Sequence, residues 1–336
     1  MRYRKVGASD LTVSEVAFGC GGNAGLMVRA DRSEQLRVVA RALDLGLNYF
    51  DNSPDYGDGA AEQNLGIALK EIGARPLINS KVEIRRANLA DIKGHVIRSV
   101  EESLARLQVD ALDMLQIHNG PSLEPPDLRG AGYRQLWLED FLRPGGACEG
   151  VEHLRKAGKI RYAGFICRGD DARAVDTLLD TGLFSLINAP YTLLNPSAGM
   201  AKPAALRVKD FGDVIRAAQS HGASAAIYSP LAGGFLTDDF LHGAARHPLA
   251  RAADPLQAQR AIHQVKALAF LTEGGNSLAI AAYRFILSHP GVACVLGGFS
   301  SLEQLQELAS APDLGPLSSS EMTRLEMLWS AGFADP

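Results

Sequence analysis

Apolar positions along this chain alternate between two rhythms. Short continuous apolar runs read as buried strands, and the stretches between them carry apolar residues at helical spacing. The runs fall at residues 16–20, at the stretch ending in Asp51, and at 76–82, 111–118, 160–166, 184–189, 223–229 and 292–297. The first long helix follows Asp31, which with Glu34 resembles a capping box. Its stripe is Leu36, Val39, Ala40 and Leu43, and Gly46 closes it. A second helix covers 60–72, with Leu65, Ala68 and Leu69 on one face. The third is expected to be capped by Asn88, with Asp91 in its first turn and Leu89, Ile92, Val96, Val100, Leu104 and Leu107 as its stripe. Further helices are expected at 150–157, 170–180, 211–220, 255–271, 277–287 and 302–309, with a helical tail at 321–329. Ahead of the first run, 3–6 and 11–16 flank Gly7-Ala8-Ser9-Asp10, the pattern of a β-hairpin.

Eight continuous apolar strands, each followed by a helix, require a parallel sheet covered on its outer face. Eight such repeats predict a (β/α)8 TIM barrel, here with an N-terminal β-hairpin and extra C-terminal helices. No break in composition divides the chain, so 1–336 is expected to be a single barrel domain. Apolar residues make up 46% of the 336 positions and charged ones 21%, enough for a large core. The net charge is −4 without a long run of one sign, which gives no reason to expect nucleic acid or a membrane as partner. No apolar run follows Arg2, Arg4 and Lys5 as a leader would require. The apolar stretch 278–287 is too short to span a bilayer and is interrupted by Arg284. Cys20, Cys148, Cys167 and Cys294 form no CxxC pair or zinc signature. They read as reduced thiols of a cytoplasmic protein, and no metal is expected.

Chemistry in such barrels gathers at the carboxyl ends of the strands. Those ends carry Asp51, Lys81, His118, Asn188 and Tyr228, with Tyr56 just beyond Asn52-Ser53-Pro54. Taken singly, Lys81 also reads as a solvated lysine and His118 as a histidine bonded to its neighbours. Together, at consecutive strand ends, they suit proton donation by a phenol. A free tyrosine has a pKa of about 10, high for acid–base work near neutrality. A lysine ammonium beside Tyr56, held by Asp51, is expected to lower it by roughly two to three units, about 3–4 kcal/mol of differential interaction. His118 would orient a substrate carbonyl or relay a proton. With no nucleophile–base pair, the electron pair is expected from a reduced nicotinamide.

The sequence resembles the aldo-keto reductase superfamily, in its bacterial branch. The likeness rests on Tyr49-Phe50-Asp51-Asn52-Ser53-Pro54-Asp55-Tyr56-Gly57-Asp58-Gly59, Glu62, Leu65-Gly66, Ser80-Lys81-Val82 and Leu115-Gln116-Ile117-His118. It continues through Gly158-Lys159-Ile160-Arg161-Tyr162-Ala163-Gly164, Tyr228-Ser229-Pro230-Leu231-Ala232-Gly233-Gly234-Phe235-Leu236-Thr237 and the closing segment 298–307. The resemblance implies a catalytic set of Tyr56, Lys81, Asp51 and His118, and NADP(H) or NAD(H) as cofactor. It implies a small carbonyl or alcohol substrate, including sugars. On the cofactor side it points to Gly21, Cys167, Asn188, Tyr228, Ser229, Pro230, Leu231, Gly233, Gly298, Ser300, Gln304 and Glu307.

That side departs from the family pattern. Ile166-Cys167 replaces the usual Ser-Asn, and Asn188 replaces a Gln. Tyr228 matches the aromatic on which the nicotinamide stacks. Gly298 and Gln304 stand where many members carry basic residues for a 2′-phosphate, and Leu308 replaces an Asn after Glu307. Arg168, Arg246 or Arg251 are the candidate substitutes for that grip.

Four other readings stay open. Gly19-Cys20-Gly21-Gly22-Asn23-Ala24 satisfies a GxGxxA pattern, but a dinucleotide fingerprint needs its helix to begin inside the motif, and the helical signal starts near Asp31. The altered cofactor positions suit a redox-responsive regulatory subunit with little turnover. Lys81 could instead form a Schiff base in a lyase. Trp137, Trp329 and Phe333 either line a substrate pocket or pack in the core.

Overall fold

A computed structural model describes residues 1–126, 135–168, 171–244 and 248–334. Two short strands, β1 (Tyr3–Lys5) and β2 (Thr12–Ser14), pair antiparallel as the expected hairpin. The barrel strands are β3 (Val16–Gly19), β4 (Tyr49–Asp51), β5 (Leu77–Val82) and β6 (Leu112–Ile117). A side ladder of β7 (Gly120–Ser122) and β8 (Gln135–Trp137) follows. The barrel resumes with β9 (Ile160–Ile166), β10 (Phe184–Pro190), β11 (Ser224–Tyr228) and β12 (Val292–Gly298). All eight pair in parallel, and β12 pairs back onto β3 through Val295 with Val16 and Gly297 with Phe18, so the sheet closes.

Closure sorts the apolar residues into two sets. Ala17, Tyr49, Met114, Leu186, Ala226 and Cys294 fill the barrel's interior, and Val6, Leu11 and Val13 of the hairpin region seal its base. The larger core lies between the strands and the outer helices, where Phe18, Phe50, Ile78, Leu115, Phe165 and Ile227 meet the helical stripes. Arg4 fastens the base. Its guanidinium donates to Glu15 at 2.6 Å and to the carbonyls of Leu287, His289 and Val292 at 2.5, 3.1 and 2.9 Å.

Helices Ala60–Ile72 and Leu302–Ala309 have the expected bounds. Asp31 caps Arg32–Asp44, its carboxylate accepting from the Glu34 amide at 2.9 Å. The third helix begins later than expected. Asn88 ends a 3₁₀ turn, Arg86–Asn88, and its side chain accepts from the Arg85 amide, so Asp91 is the cap of Ile92–Leu107. The next begins earlier, as Ala147–Lys156. The helix after β9 is Ala172–Asp180, capped by Asp171, and the expected start at Asp170 lies outside the described residues. The tail helix Ser319–Ser330 buries Leu325 and Trp329 in the outer core. Trp329 is buried and donates its indole N–H to the Leu193 carbonyl at 2.8 Å, and Phe333 is buried beside it. Both are core residues, which removes them from the pocket. Trp137 is partly buried and donates to the Leu123 carbonyl at 3.1 Å.

Helix Ala60–Ile72 carries Tyr56's loop on its amino end, and its seat depends on Gly66. A Cβ there would stand 2.5 Å from the Leu107 carbonyl oxygen and 2.9 Å from that of Arg106. Both are backbone atoms of a packed neighbour helix, and neither can move alone. Gly66→Ala is therefore expected to cost about 2 kcal/mol or more, as overpacking does. Urea unfolding checks this, and a wild-type midpoint would show that the helices slide apart freely.

Candidate active site

Asp51 ends β4, Lys81 lies one residue before the end of β5, and His118 follows β6 directly. The Asn52 amide donates to the Asn79 carbonyl at 2.9 Å before the chain leaves the sheet, and Pro54 turns it outward. The Tyr56 amide then donates to the Ser53 carbonyl at 3.1 Å, folding the phenol back over the strand ends.

Lys81 is the centre of the group, with 2% of its surface exposed. Its ammonium has three protons and uses all of them: 2.8 Å to Asp51 Oδ2, 2.7 Å to the Asn52 carbonyl and 3.2 Å to Tyr56 Oη. The other Asp51 oxygen accepts from Asn79 Nδ2 at 2.6 Å. Asn79 and Lys81 are two apart on β5 and so face the same way, a strand-period signal that was readable in the sequence. Ser80, between them, points outward to the buried Glu62, whose second oxygen accepts from Arg106 at 2.6 Å. Burial works to strip the lysine of its proton, but Asp51 and Tyr56 together outweigh it and hold its pKa above the usual lysine range. An ammonium so held is no amine nucleophile, which argues against the Schiff-base reading.

Tyr56 corrects an expectation. Burial pushes its pKa up, Lys81 pulls it back, Asp51 adds to the rise, and the net direction is upward from 10, not downward. The physical reason is burial of the phenol, which outweighs the pull of Lys81 and is reinforced by Asp51. The hydroxyl is thus proton-loaded at neutral pH.

His118 is buried, and its amide donates to the Val82 carbonyl at 2.8 Å. Burial lowers its pKa from 6.5 to about 4; Asp55 opposes this, while Lys81 and Arg168 reinforce it. The Asp55 carboxylate stands 3.7 Å from His118 Nδ1 and 2.7 Å from Arg85, which also reaches Glu83 at 3.0 Å. Sequence reading passed over Asp55 and Arg85 because both lie in irregular segments beyond strand ends.

On the cofactor side, three strand ends are locked together. Tyr228 Oη donates to the Cys167 carbonyl at 3.0 Å, and the Cys167 amide donates to the Asn188 carbonyl at 2.7 Å. Asn188 is 2% exposed, and its side-chain oxygen has no hydrogen-bond partner among the described residues. Such an orphaned acceptor beside an aromatic ring fits a flat carboxamide-bearing ring, whose N–H would satisfy it. Ser229, Pro230, Leu231 and Gly233 form the loop after β11, with φ of 51° at Ser229 and 72° at Gly233. Gly21 lies against the Tyr56 ring, where an added Cβ would be 3.8 Å from Cζ. Gly298 ends β12 facing Ala24, so the first loop runs from the phenol towards that strand. The GxGxxA segment forms this loop and leads only into the four-residue helix Leu26–Arg29.

Ser300 donates its amide and hydroxyl to Gln304 Oε1, each at 2.9 Å, and Glu307 accepts from Ser277. Arg168 is not at this end of the cleft; its charge acts on His118 and Glu83. Arg251 is exposed on Pro248–Arg251, and Arg246 lies outside the described residues. Among the described residues no helix is long and apolar enough to cross a membrane.

The His118 shift has a measurable consequence. A folded-state pKa below the unfolded value gives stability that is complete above 6.5 and lost as pH falls towards about 4. The gap corresponds to about 3 kcal/mol. His118→Gln lacks this acid-labile contribution, so its stability relative to wild type should rise by about that amount between pH 7 and pH 4. Denaturant melts at both pH values check it, and a constant difference would mean that His118 is readily protonated in the fold.

Comparison with known proteins agrees with this geometry. The chain is 25% identical to the uncharacterized oxidoreductase YqkF of Bacillus subtilis, over 97% of this chain and 96% of that one. It is 25% identical to the aldo-keto reductase YhdN of the same organism, over 92% and 88%. The solved holo form of aldo-keto reductase AKR11C1 from Bacillus halodurans superposes with a TM-score of 0.73 at 26% identity, covering 98% of this chain and 97% of that one. A sequence profile of the Aldo/keto reductase family matches residues 15–330. The chain therefore belongs to the aldo/keto reductase family, and it is an NAD(P)-dependent oxidoreductase of the TIM-barrel kind.

Proposed function

We propose that Tyr56 is the general acid and base of this enzyme, with Lys81 and Asp51 setting its proton affinity and His118 beside the reacting oxygen. The observation that carries the reading is the buried ammonium of Lys81 shared between Asp51 and the Tyr56 hydroxyl. The bound nicotinamide supplies or takes up the hydride. Asn188 would accept its carboxamide N–H, Tyr228 would offer a ring face, and the 229–233 loop would hold its phosphates. Gly21, Cys167, Gly298, Ser300, Gln304 and Glu307 complete the proposed cofactor wall.

In carbonyl reduction, Tyr56 donates its proton to the oxygen as negative charge develops there. Its raised pKa keeps it loaded for that task. In the reverse direction it accepts the proton of an alcohol, and the Lys81 ammonium stabilises the phenolate while it is bare. Asn79 and the Asn52 carbonyl keep Asp51 and Lys81 from drifting. We read 1–336 as one domain acting in the cytoplasm, in keeping with four cysteines that form no disulfide.

Tyr56→Phe is expected to lower kcat by about 10²–10⁴-fold in a carbonyl and alcohol screen. Nucleotide affinity should change little. Unchanged turnover would reject the role, and tight nucleotide binding with negligible wild-type turnover would favour a regulatory subunit. Fluorescence titration with NADH and NADPH addresses the other open side. At Gly298 and Gln304 there is no guanidinium or ammonium to grip a 2′-phosphate, and Gln304 Oε1 is turned onto Ser300. NADPH is therefore expected to bind no more tightly than NADH. A preference for NADPH of a hundredfold would point to a cation reaching the site from elsewhere.

A further inference from the structure

Asp55 precedes Tyr56 on the loop after β4, and its carboxylate is built into the mouth. Arg85 donates to Oδ1 at 2.7 Å, and the Asp55 amide donates to Ser53 Oγ at 3.2 Å. Arg85 is itself anchored on the buried Glu83 through Nε at 3.0 Å. The other oxygen, Oδ2, is buried and accepts no hydrogen bond from the described residues, and it faces His118 Nδ1 at 3.7 Å. That distance is a close polar contact and longer than a formed hydrogen bond.

An ionised carboxylate is only an acceptor, whereas a neutral imidazole carries one N–H and one lone pair. If the lone pair stood on Nδ1, two acceptors would face each other in a buried site and repel. With the proton on Nδ1, the contact is attractive. A second proton is opposed by burial and by the positive charges of Lys81 on β5 and Arg168 beyond β9.

We propose that Asp55 is a positioning residue that fixes His118 as the Nδ1–H tautomer. Nε2 is then an acceptor. It takes a hydrogen bond from a hydroxyl and donates none to a carbonyl oxygen. Tyr56 is left as the proton donor to a reducible carbonyl. The group that His118 recognises is a hydroxyl, that of the alcohol being oxidised or one next to the carbonyl. This rests on the reading of the mouth given above, yet the tautomer is measurable without substrate or turnover.

The test is a long-range ¹H–¹⁵N correlation spectrum of the full chain labelled with ¹⁵N-histidine, near pH 7. The His118 signals among the eight histidines are identified by their loss in His118→Gln. The expected spectrum has Nδ1 protonated and Nε2 bare. In Asp55→Asn the amide can donate to Nδ1, so the Nδ1–H signature should be lost in favour of Nε2–H. A wild-type spectrum with Nε2 protonated would overturn the proposal whether or not the variant folds. An unchanged tautomer in folded Asp55→Asn would overturn it too. Tyr56→Phe turnover is a separate readout, so failure of the tautomer and failure of the catalytic reading are told apart.

Discussion

A buried ammonium dictates the order of this active site. Taking a lysine charge out of water costs several kcal/mol unless oxygen atoms replace the lost hydration. Lys81 finds three, and each comes from the stretch between Asp51 and Tyr56. The segment 51–56 is thereby pinned to β5, and its phenol cannot wander from the strand ends. Asp51 is pinned in turn by Asn79, so the pair is held from both sides. The same arrangement limits what the lysine can do electrostatically. Burial of the phenol outweighs the lysine's pull and Asp51 opposes that pull, so the phenol keeps its proton and serves first as a donor.

Much of this was legible in the chain. The barrel followed from eight apolar runs with helices between them, and strand ends placed Asp51, Lys81 and His118 on one rim. Asp31 and Gly46 marked a helix because capping is a local matter of side-chain reach. Asn88 misled because an Asn three residues before Asp91 satisfies the same local rule, and the Asn88 side chain is instead occupied by its own turn. The direction of the Tyr56 shift was hidden for a different reason. Burial depends on how the first loop, with Gly21, packs against the ring, and no spacing of residues encodes that. Asp55 and Arg85 were missed likewise, since their meeting joins two loops with irregular backbones.

The strand region of Cys167, Asn188 and Tyr228 is held together through the main chain. Cys167 contributes its backbone on both sides, receiving Tyr228's hydroxyl and donating to the Asn188 carbonyl. A buried thiol suffices at a position whose work falls to the main chain. The side-chain oxygen of Asn188 is buried and meets no hydrogen-bond donor among the described residues.

The seam between β12 and β3 joins residues almost three hundred positions apart. Arg4 spans the same distance when it gathers the carbonyls around residue 290. On the ribosome, β3 therefore waits with one bare edge until nearly the whole polypeptide has emerged. Its brevity and the flanking hairpin shield that edge from pairing with another nascent chain.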